Sequence, residues 1–471
     1  MSILNTDLST FKQNFDSLQA NKEQYGEVHT DFVLINDMLK LIPLKYYKNP
    51  NLKWLDPCCG RGYFTMILYK KLFESLQGII PDQQKRHDHI ICNMIYMIEI
   101  NPIYFTLLKT LFGEKSNIYC KNFLENTQKF DIIIGNPPFN CRGLIKVPTN
   151  NQLNKKFDGK SCWQSFIKQA FSSLNPKGLL LFITPSIWMK NDHPMFSYML
   201  QYSIKKIHTM TNTETNKLFH GQAQTPTCYF LVSNIKKTNT TVSIYDKSIK
   251  KYVQYNTFIS KSLYFSSLPL FAISIIQKIQ PFVIKYGYLK VKKTSMRPDY
   301  KGLDISSYKT EQYPYPNIST CRLNGLNPRL IINYSNKKCV YADQPKIVLA
   351  HKMYGFPYYD KEGKYGISNR DNYVILNKKD EDFIQLTQFL SSKFILTLFE
   401  ATRYRMKYLE RYIFEMIPDI TYISDFPKTI SEISISTFFK LNKMERNLID
   451  TYHKKKYNIN SLKFKCKNIY V

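Results

Sequence analysis

The stretch FDIIIGNPPFN, residues 130–140, carries a branched apolar run into a glycine, then an asparagine, two prolines and an aromatic ring. Pro137 and Pro138 hold φ near about −65° and cannot donate to a neighbouring strand. The Asn136 amide oxygen and nearby backbone carbonyls, that of Pro137 among them, can then converge as rigid hydrogen-bond acceptors. An exocyclic amine on a nucleobase needs such acceptors. Its lone pair is shared with the ring, so it is a poor nucleophile. Two acceptors on its two N–H bonds draw it toward tetrahedral geometry and free that lone pair. No covalent nucleophile or strong base is required, and the work is positioning against an electrophile. Phe139 then offers a face on which the base stacks. A base inside a duplex must first be flipped out, at a few kcal/mol. Stacking worth about 1–3 kcal/mol offsets part of that cost. The plainer reading is a turn that ends a strand. Asn-Pro alone is a common turn pair; two prolines and a ring after IIIG ask for more.

A second motif is LDPCCGRGYF, residues 55–64. Gly60 and Gly62 lie between an apolar run and a helical pattern, where glycine allows a sharp turn and close approach of a ligand. The third glycine of a pyrophosphate-binding G-x-G-x-x-G is absent, and so is the G-K-[ST] of an NTPase loop. Asp56 before the glycines would repel phosphate. It suits a cationic or zwitterionic ligand, such as the amino acid end of S-adenosylmethionine. Glu99 closes the next apolar run, where a carboxylate can accept the ribose hydroxyls of a nucleoside cofactor. A structural turn with no ligand is the alternative for the glycines, and Glu99 at the next strand end favours the ligand. Arg61, between the glycines, is either a ligand contact or a surface residue.

The elements that must position these residues alternate. Residues 53–56 (KWLD) and the run 90–100 ending at Glu99 read as strands, as do 117–120, 130–135 and 178–184 (GLLLFIT). Residues 63–76 have helical apolar spacing, Pro102 opens a helix well, and 163–174 reads as a helix closed by Asn-Pro-Lys-Gly. Continuous apolar strands between helices indicate an α/β fold with a parallel sheet covered on both faces. Ligands of such sheets sit at the carboxyl ends of the strands, which is where the motifs fall. Beyond about residue 250 the alternation fades and tyrosines and lysines crowd together. The domains expected are 1–245 and 246–471.

Lys and Arg number 66 against 36 Asp and Glu, a formal charge of +30 over 471 residues. Such an excess suits a polyanionic partner, most simply nucleic acid. Lys292, Lys293 and Arg297 with Tyr286, Tyr288 and Tyr300 form one candidate phosphate-binding face. Arg403, Arg405, Lys407 and Arg411 form another. Ordinary charged helix faces are the alternative for both. His87, Asp88 and His89 read as a solvated loop rather than a metal site. The ten cysteines show no C-x-x-C pair, which points to a reducing compartment without structural zinc. No signal pattern opens the chain, and no run reaches the roughly 18 apolar residues of a membrane span. A soluble intracellular protein without a membrane partner is expected.

LDPCCGRGYF, the acid of IEINP and FDIIIGNPPF together resemble the amino-methyltransferases that use S-adenosylmethionine. With the glycine loop first and a long basic region last, the chain resembles the gamma-class adenine-N6 DNA methyltransferases of restriction–modification systems. That resemblance implies a Rossmann-like S-adenosylmethionine-dependent methyltransferase domain, followed by an α+β target recognition domain. It implies cofactor contacts from Thr30, Asp56, Gly60, Gly62, Glu99 and Asn122, and catalysis by Asn136, Pro137, Pro138 and Phe139. A late segment, LFHGQAQTPTCYFLV, resembles the one that supplies a second ring for the flipped base, here Phe219. The chain departs from the family pattern at Asp31, where proline usually follows Thr30, and at Asn122, where an aspartate is usual. Double-stranded DNA is the implied partner, and a separate restriction endonuclease is the further partner such systems use. A nuclease in this chain would need a partner for Pro298 and Asp299, and none is evident. Readings that stay open are an RNA adenine or DNA cytosine-N4 substrate, a protein glutamine, and a decayed nucleic-acid-binding subunit.

Overall fold

The computed structural model describes residues 3–14, 28–141, 160–223, 225–237, 241–257, 266–294, 302–324, 327–351, 357–369, 372–405 and 409–454. Arg297, Pro298, Asp299, Tyr300 and Lys407 lie outside the described residues. The chain divides into two compact units, Met1–Trp188 with Asp192–Ile244, and Met189–Asn191 with Tyr245–Val471.

In the first unit, strand β1 (Trp54–Asp56) is wholly buried. β2 (Ile95–Glu99), β3 (Asn117–Cys120) and β4 (Phe130–Gly135) follow. Then come β5 (Leu174–Pro185), β6 (Tyr202–Met210), β7 (Thr227–Lys236) and β8 (Thr241–Asp246). Their order across the sheet is β8-β6-β7-β5-β4-β1-β2-β3. β1 pairs in parallel with both β2 and β4, and β4 with β5. β7 alone is reversed, antiparallel to both β5 and β6. The chain therefore starts mid-sheet, runs outward to β3 and returns to β4 beside β1. The crevice between β1 and β4 is a topological switch point, where open α/β sheets bind ligands.

Helix α1 (Phe32–Leu39) precedes the sheet, and α2 (Tyr63–Ser75) follows β1. After α3 (Gln83–His89) come α4 (Pro102–Phe112), α5 (Trp163–Ser173) and α6 (Asn212–Leu218). Pro102 sits in the first turn of α4, capped by the Asn101 side chain on the Ile103 N–H at 3.0 Å. No helix among the described residues is long and apolar enough to cross a membrane.

Three local expectations are corrected. The run 90–100 is not strand throughout, because Ile90–Met94 forms a π-helical turn. The wide turn frees carbonyls, and the Asn117 amide donates to those of Ile91, Cys92 and Ile95 at 3.2, 2.8 and 3.2 Å. Asn-Pro-Lys-Gly does not separate helix from strand. β5 runs through it as a bulge between the Phe130–Leu174 and Ile132–Leu179 pairs, with Lys177 at φ 65°. The His87-Asp88-His89 stretch is not a loop but the end of α3, whose N-terminus Asp82 caps through the Lys85 N–H at 2.7 Å. His87 is buried against the Tyr69 hydroxyl at 2.8 Å, and His89 meets the Pro50 carbonyl at 2.8 Å. Both rings serve packing, and among the described residues no acid, cysteine and histidine cluster is placed to hold a metal.

The second unit mixes α and antiparallel β structure. Helix α7 (Ile273–Tyr286) precedes a long hairpin of β9 (Tyr315–Asn324) and β10 (Asn327–Ser335). β11 (Lys346–Ala350) pairs antiparallel with β12 (Pro357–Asp360) and β13 (Asn372–Ile375). Ile318, Leu330, Val348, Ile367 and Val374 form a shared core. Beside it, Lys346 and Asp360 make an ion pair at 2.6 Å, both side chains excluded from water.

Candidate active site

The carboxyl ends of β1, β2, β3 and β4 surround one cleft in the first unit, with about 950 Å³ of space open to solvent on one side. Thr30, Gly60, Glu99, Asn122, Asn136, Pro137, Pro138 and Phe139 all line it. Residues more than a hundred positions apart in sequence thus meet, all but Thr30 because each ends or follows a strand of one sheet.

β1 ends at Asp56, and the turn after it passes through Gly60 at φ 52° and Gly62 at φ 74°. Gly62 is the N-cap of α2 in the left-handed region, and an added Cβ would come within 2.7 Å of Leu108 Cδ2. Only glycine meets both conditions. The turn is tied to the next strand end, since the Gly60 N–H donates to Glu99 Oε2 at 2.6 Å. The other oxygen of Glu99 accepts from the Asn101 N–H at 2.8 Å. Glu99 is therefore a carboxylate held rigidly at the cleft wall by two backbone amides.

Asp56 is 3% exposed and sits beneath this turn. The Thr65 hydroxyl donates to Asp56 Oδ2 at 3.2 Å, while Oδ1 is buried with no hydrogen-bond partner among the described residues. Burial, with Glu99 adding to it, pushes the Asp56 carboxyl up to about 7. A buried acceptor without a donor is costly, and a cationic ligand group would relieve it.

Asn122 caps a short turn after β3. Its Oδ1 accepts from the Leu124 N–H at 3.1 Å, and its amide donates to Glu125 at 3.1 Å. Thr30 and Asp31 act differently from each other. Asp31 caps α1 by accepting from the Val33 N–H at 2.7 Å, which explains an acid where proline is usual. Thr30 Oγ1 instead accepts from Asn136 Nδ2 at 3.1 Å, beside the Val28 carbonyl at 3.2 Å. Two acceptors on Nδ2 fix which way the amide points. Asn136 Oδ1 is then left buried with no partner among the described residues. Phe139 is half-buried, with one edge of the cleft behind it.

Other expected contacts fall elsewhere. Phe219 is 1% exposed at the end of α6 and does not line the cleft. It is a core ring with no face to offer a base. Arg403 pairs with Glu400 at 2.8 Å, and Arg405 grips Glu410 with two bonds at 2.7 and 3.0 Å. Both guanidinium groups are paired with carboxylates of the second unit. Arg61 lies over the Tyr104 ring at 5.8 Å and lines the cleft. Tyr286, Tyr288 and Lys292 do come together, in a groove of the second unit that also includes Lys290, Lys378 and Tyr422.

Sequence reasoning missed the aromatic walls. Tyr104, Phe123 and Phe166 line the cleft, with Phe123 and Phe166 rings 5.7 Å apart. Phe123 directly follows Asn122 and could have been read from that neighbour. Tyr104 and Phe166 lie on helix faces, where an aromatic reads as ordinary core.

The sheet order, the reversed strand β7 and the glycine turn after β1 define a Rossmann-like α/β fold. Residues 64–219, which include Glu99 and the Asn-Pro-Pro-Phe turn, match the sequence model of the Eco57I restriction-modification methylases. A Mycoplasma pneumoniae protein named an uncharacterized adenine-specific methylase is 34% identical over 74 residues, 16% of this chain and 16% of its own. The type II methyltransferase M.BstVI of Geobacillus stearothermophilus is 25% identical over 272 residues, 52% of this chain and 46% of that protein. The chain thus spans less than half the length of these curated relatives. Among solved structures, the Type IIL restriction-modification enzyme MmeI in complex with DNA aligns with a TM-score of 0.49 and 13% identity, over 98% of this chain and 78% of that one. The M protein of the type I restriction enzyme EcoKI aligns at 0.35 and 17%, over 50% and 51%.

Proposed function

We propose that this chain is a site-specific DNA adenine-N6 methyltransferase that uses S-adenosylmethionine. The observation that carries the reading is Asn136. Its Nδ2 is tied to Val28 and Thr30, while its Oδ1 is buried, unpartnered and at the cleft. Pro137 O lies next along the chain, and no described residue donates to it. These two acceptors take the two N–H bonds of the target amine and free its lone pair. Phe139 stacks on the flipped base.

The cleft fits the cofactor. Asp56, buried beneath the glycine turn, carries the negative charge that suits the ammonium of the cofactor's amino acid end. Glu99 suits the ribose hydroxyls, Asn122 the adenine edge, Gly60 and Gly62 shape the turn beside it, and Thr30 lines the cleft. When bound, S-adenosylmethionine supplies an electrophilic methyl group. The protein's own part is to exclude water, orient the amine and accept its hydrogen bonds, as preorganised dipoles do in other transfer reactions. The excess proton of the product amine passes to solvent.

The basic second unit is the part proposed to read the DNA target, in keeping with the charge of +30. Asn136→Ala tests the reading. Incorporation of labelled methyl into DNA should be lost while cofactor Kd changes less than twofold. Full incorporation by that variant would overturn the mechanism.

A further inference from the structure

A proline has no N–H, so a Pro-Pro turn cannot be fixed by what its own residues donate. Hydrogen bonds can hold the two prolines only through their carbonyls. Cys58 Sγ donates to Asn136 O at 3.4 Å, from 78 residues away. Cys162 Sγ donates to Pro138 O at 3.0 Å, from 24 residues away. The Cys162 N–H donates to Phe139 O at 3.2 Å. Of the four carbonyls from Asn136 to Phe139, three are thus held, and Pro137 O is the one with no donor among the described residues.

Neither thiol is explained by local structure. Cys162 is the N-cap of α5, yet its side chain makes no cap bond there. It is turned to the Pro138 carbonyl instead. Cys58 follows Pro57 in the glycine turn and is aimed across at β4. Burial pushes its thiol well above the usual range, with Asp56 and Glu99 adding to that, so it remains protonated and able to donate.

We propose that Cys58 and Cys162 are positioning residues that clamp the carbonyls on either side of Pro137, holding Pro137 O toward the cleft as the second acceptor for the target amine. This rests on the amine-acceptor reading of Asn136 and Pro137 given above. Thiols are weak donors, and two of them share the task. The clamp also links the glycine turn to the Asn-Pro-Pro-Phe turn, because Cys58 belongs to the first and holds the second.

The test uses the full chain and three variants, Cys58→Ala, Cys162→Ala and Cys58→Ser. Mass-spectrometric hydrogen exchange is read on the peptide 134–141, and single-turnover methyl transfer at saturating S-adenosylmethionine and DNA. Each alanine variant should raise exchange in that peptide and slow transfer about fivefold. Cofactor Kd of Cys162→Ala, and exchange in β1, β2 and β5 of both alanine variants, should stay at wild-type values. Cys58→Ser keeps a donor and should stay within twofold of wild type. Unchanged exchange and unchanged transfer in both alanine variants would overturn the clamp. So would raised exchange spread over the whole sheet, which would mark a merely structural role. If the wild type transfers no methyl group, the methyltransferase reading fails, and the exchange data still decide whether the thiols hold the turn.

Discussion

Thr30 Oγ1 and Asn136 Nδ2 are 3.1 Å apart across 106 residues of sequence. The bond joins the segment before α1 to the turn after β4 and, with the Val28 carbonyl, sets the orientation of the Asn136 amide in the cleft. Thr30 thus serves Asn136 directly, besides lying where a cofactor would pass.

Thr30→Val removes that acceptor while keeping the volume. The Asn136 amide can then turn, and Oδ1 no longer faces the amine. We expect single-turnover transfer to fall about tenfold, as for loss of one hydrogen bond of about 1.4 kcal/mol. Thr30→Ser should keep most of the rate. Equal rates in Thr30→Val and wild type would separate Thr30 from the amide.

If Asp56 attracts the cofactor's ammonium, cofactor binding should be pH-dependent. Its carboxyl is raised from the ordinary 3.8 to about 7 by burial. Only the ionised form attracts an ammonium, so affinity should fall as pH drops below about 7, by up to tenfold per unit. Calorimetry at pH 6 and 8 reads this, and Asp56→Asn should flatten the dependence. The same group affects folding with a definite sign. The folded state holds the proton more tightly than the unfolded one, so its contribution is fully present below about pH 4. That contribution is lost as pH rises through about 7, on the order of 4 kcal/mol in all.

Gly60 and Gly62 should respond unequally to alanine. Both have positive φ, which costs a non-glycine residue about 1–2 kcal/mol. At Gly60 nothing lies within 4 Å of an added Cβ, whereas at Gly62 it meets Leu108. Gly62→Ala should therefore lose a further 1–3 kcal/mol or so from overpacking. Chemical denaturation of the two variants checks the difference.

Phe139 and Phe219 should part in the same way. Phe219→Ala opens a cavity in the core and should cost about 3–5 kcal/mol of stability. Phe139→Ala should leave Tm near wild type and weaken binding to DNA that carries a flipped base, read with 2-aminopurine fluorescence. A stable Phe219→Ala with impaired flipping would restore the role its sequence context implies.

Much of the first unit is legible because buried parallel strands are continuous apolar runs with distinctive ends. FDIIIG and KWLD could be read that way, and so could the residues just past them. The run 90–100 could not, since an apolar stretch does not say where helix stops and strand begins. Its π turn depends on Asn117, more than twenty positions on. The ion pairs of Arg403 with Glu400 and of Arg405 with Glu410 are local in sequence, yet which of the nearby acids each arginine meets is set by the fold. Phe219 was misplaced because burial of a ring is decided by packing from distant segments. The Cys58 and Cys162 bonds were invisible for the same reason.

The most direct measurement is nucleoside mass spectrometry on unmethylated duplex DNA of diverse sequence, incubated with the protein and S-adenosylmethionine and then digested. The account predicts N6-methyldeoxyadenosine with the wild type and none with Asn136→Ala. A peak of N4-methyldeoxycytidine, or no modified nucleoside from a protein that binds the cofactor, would contradict it.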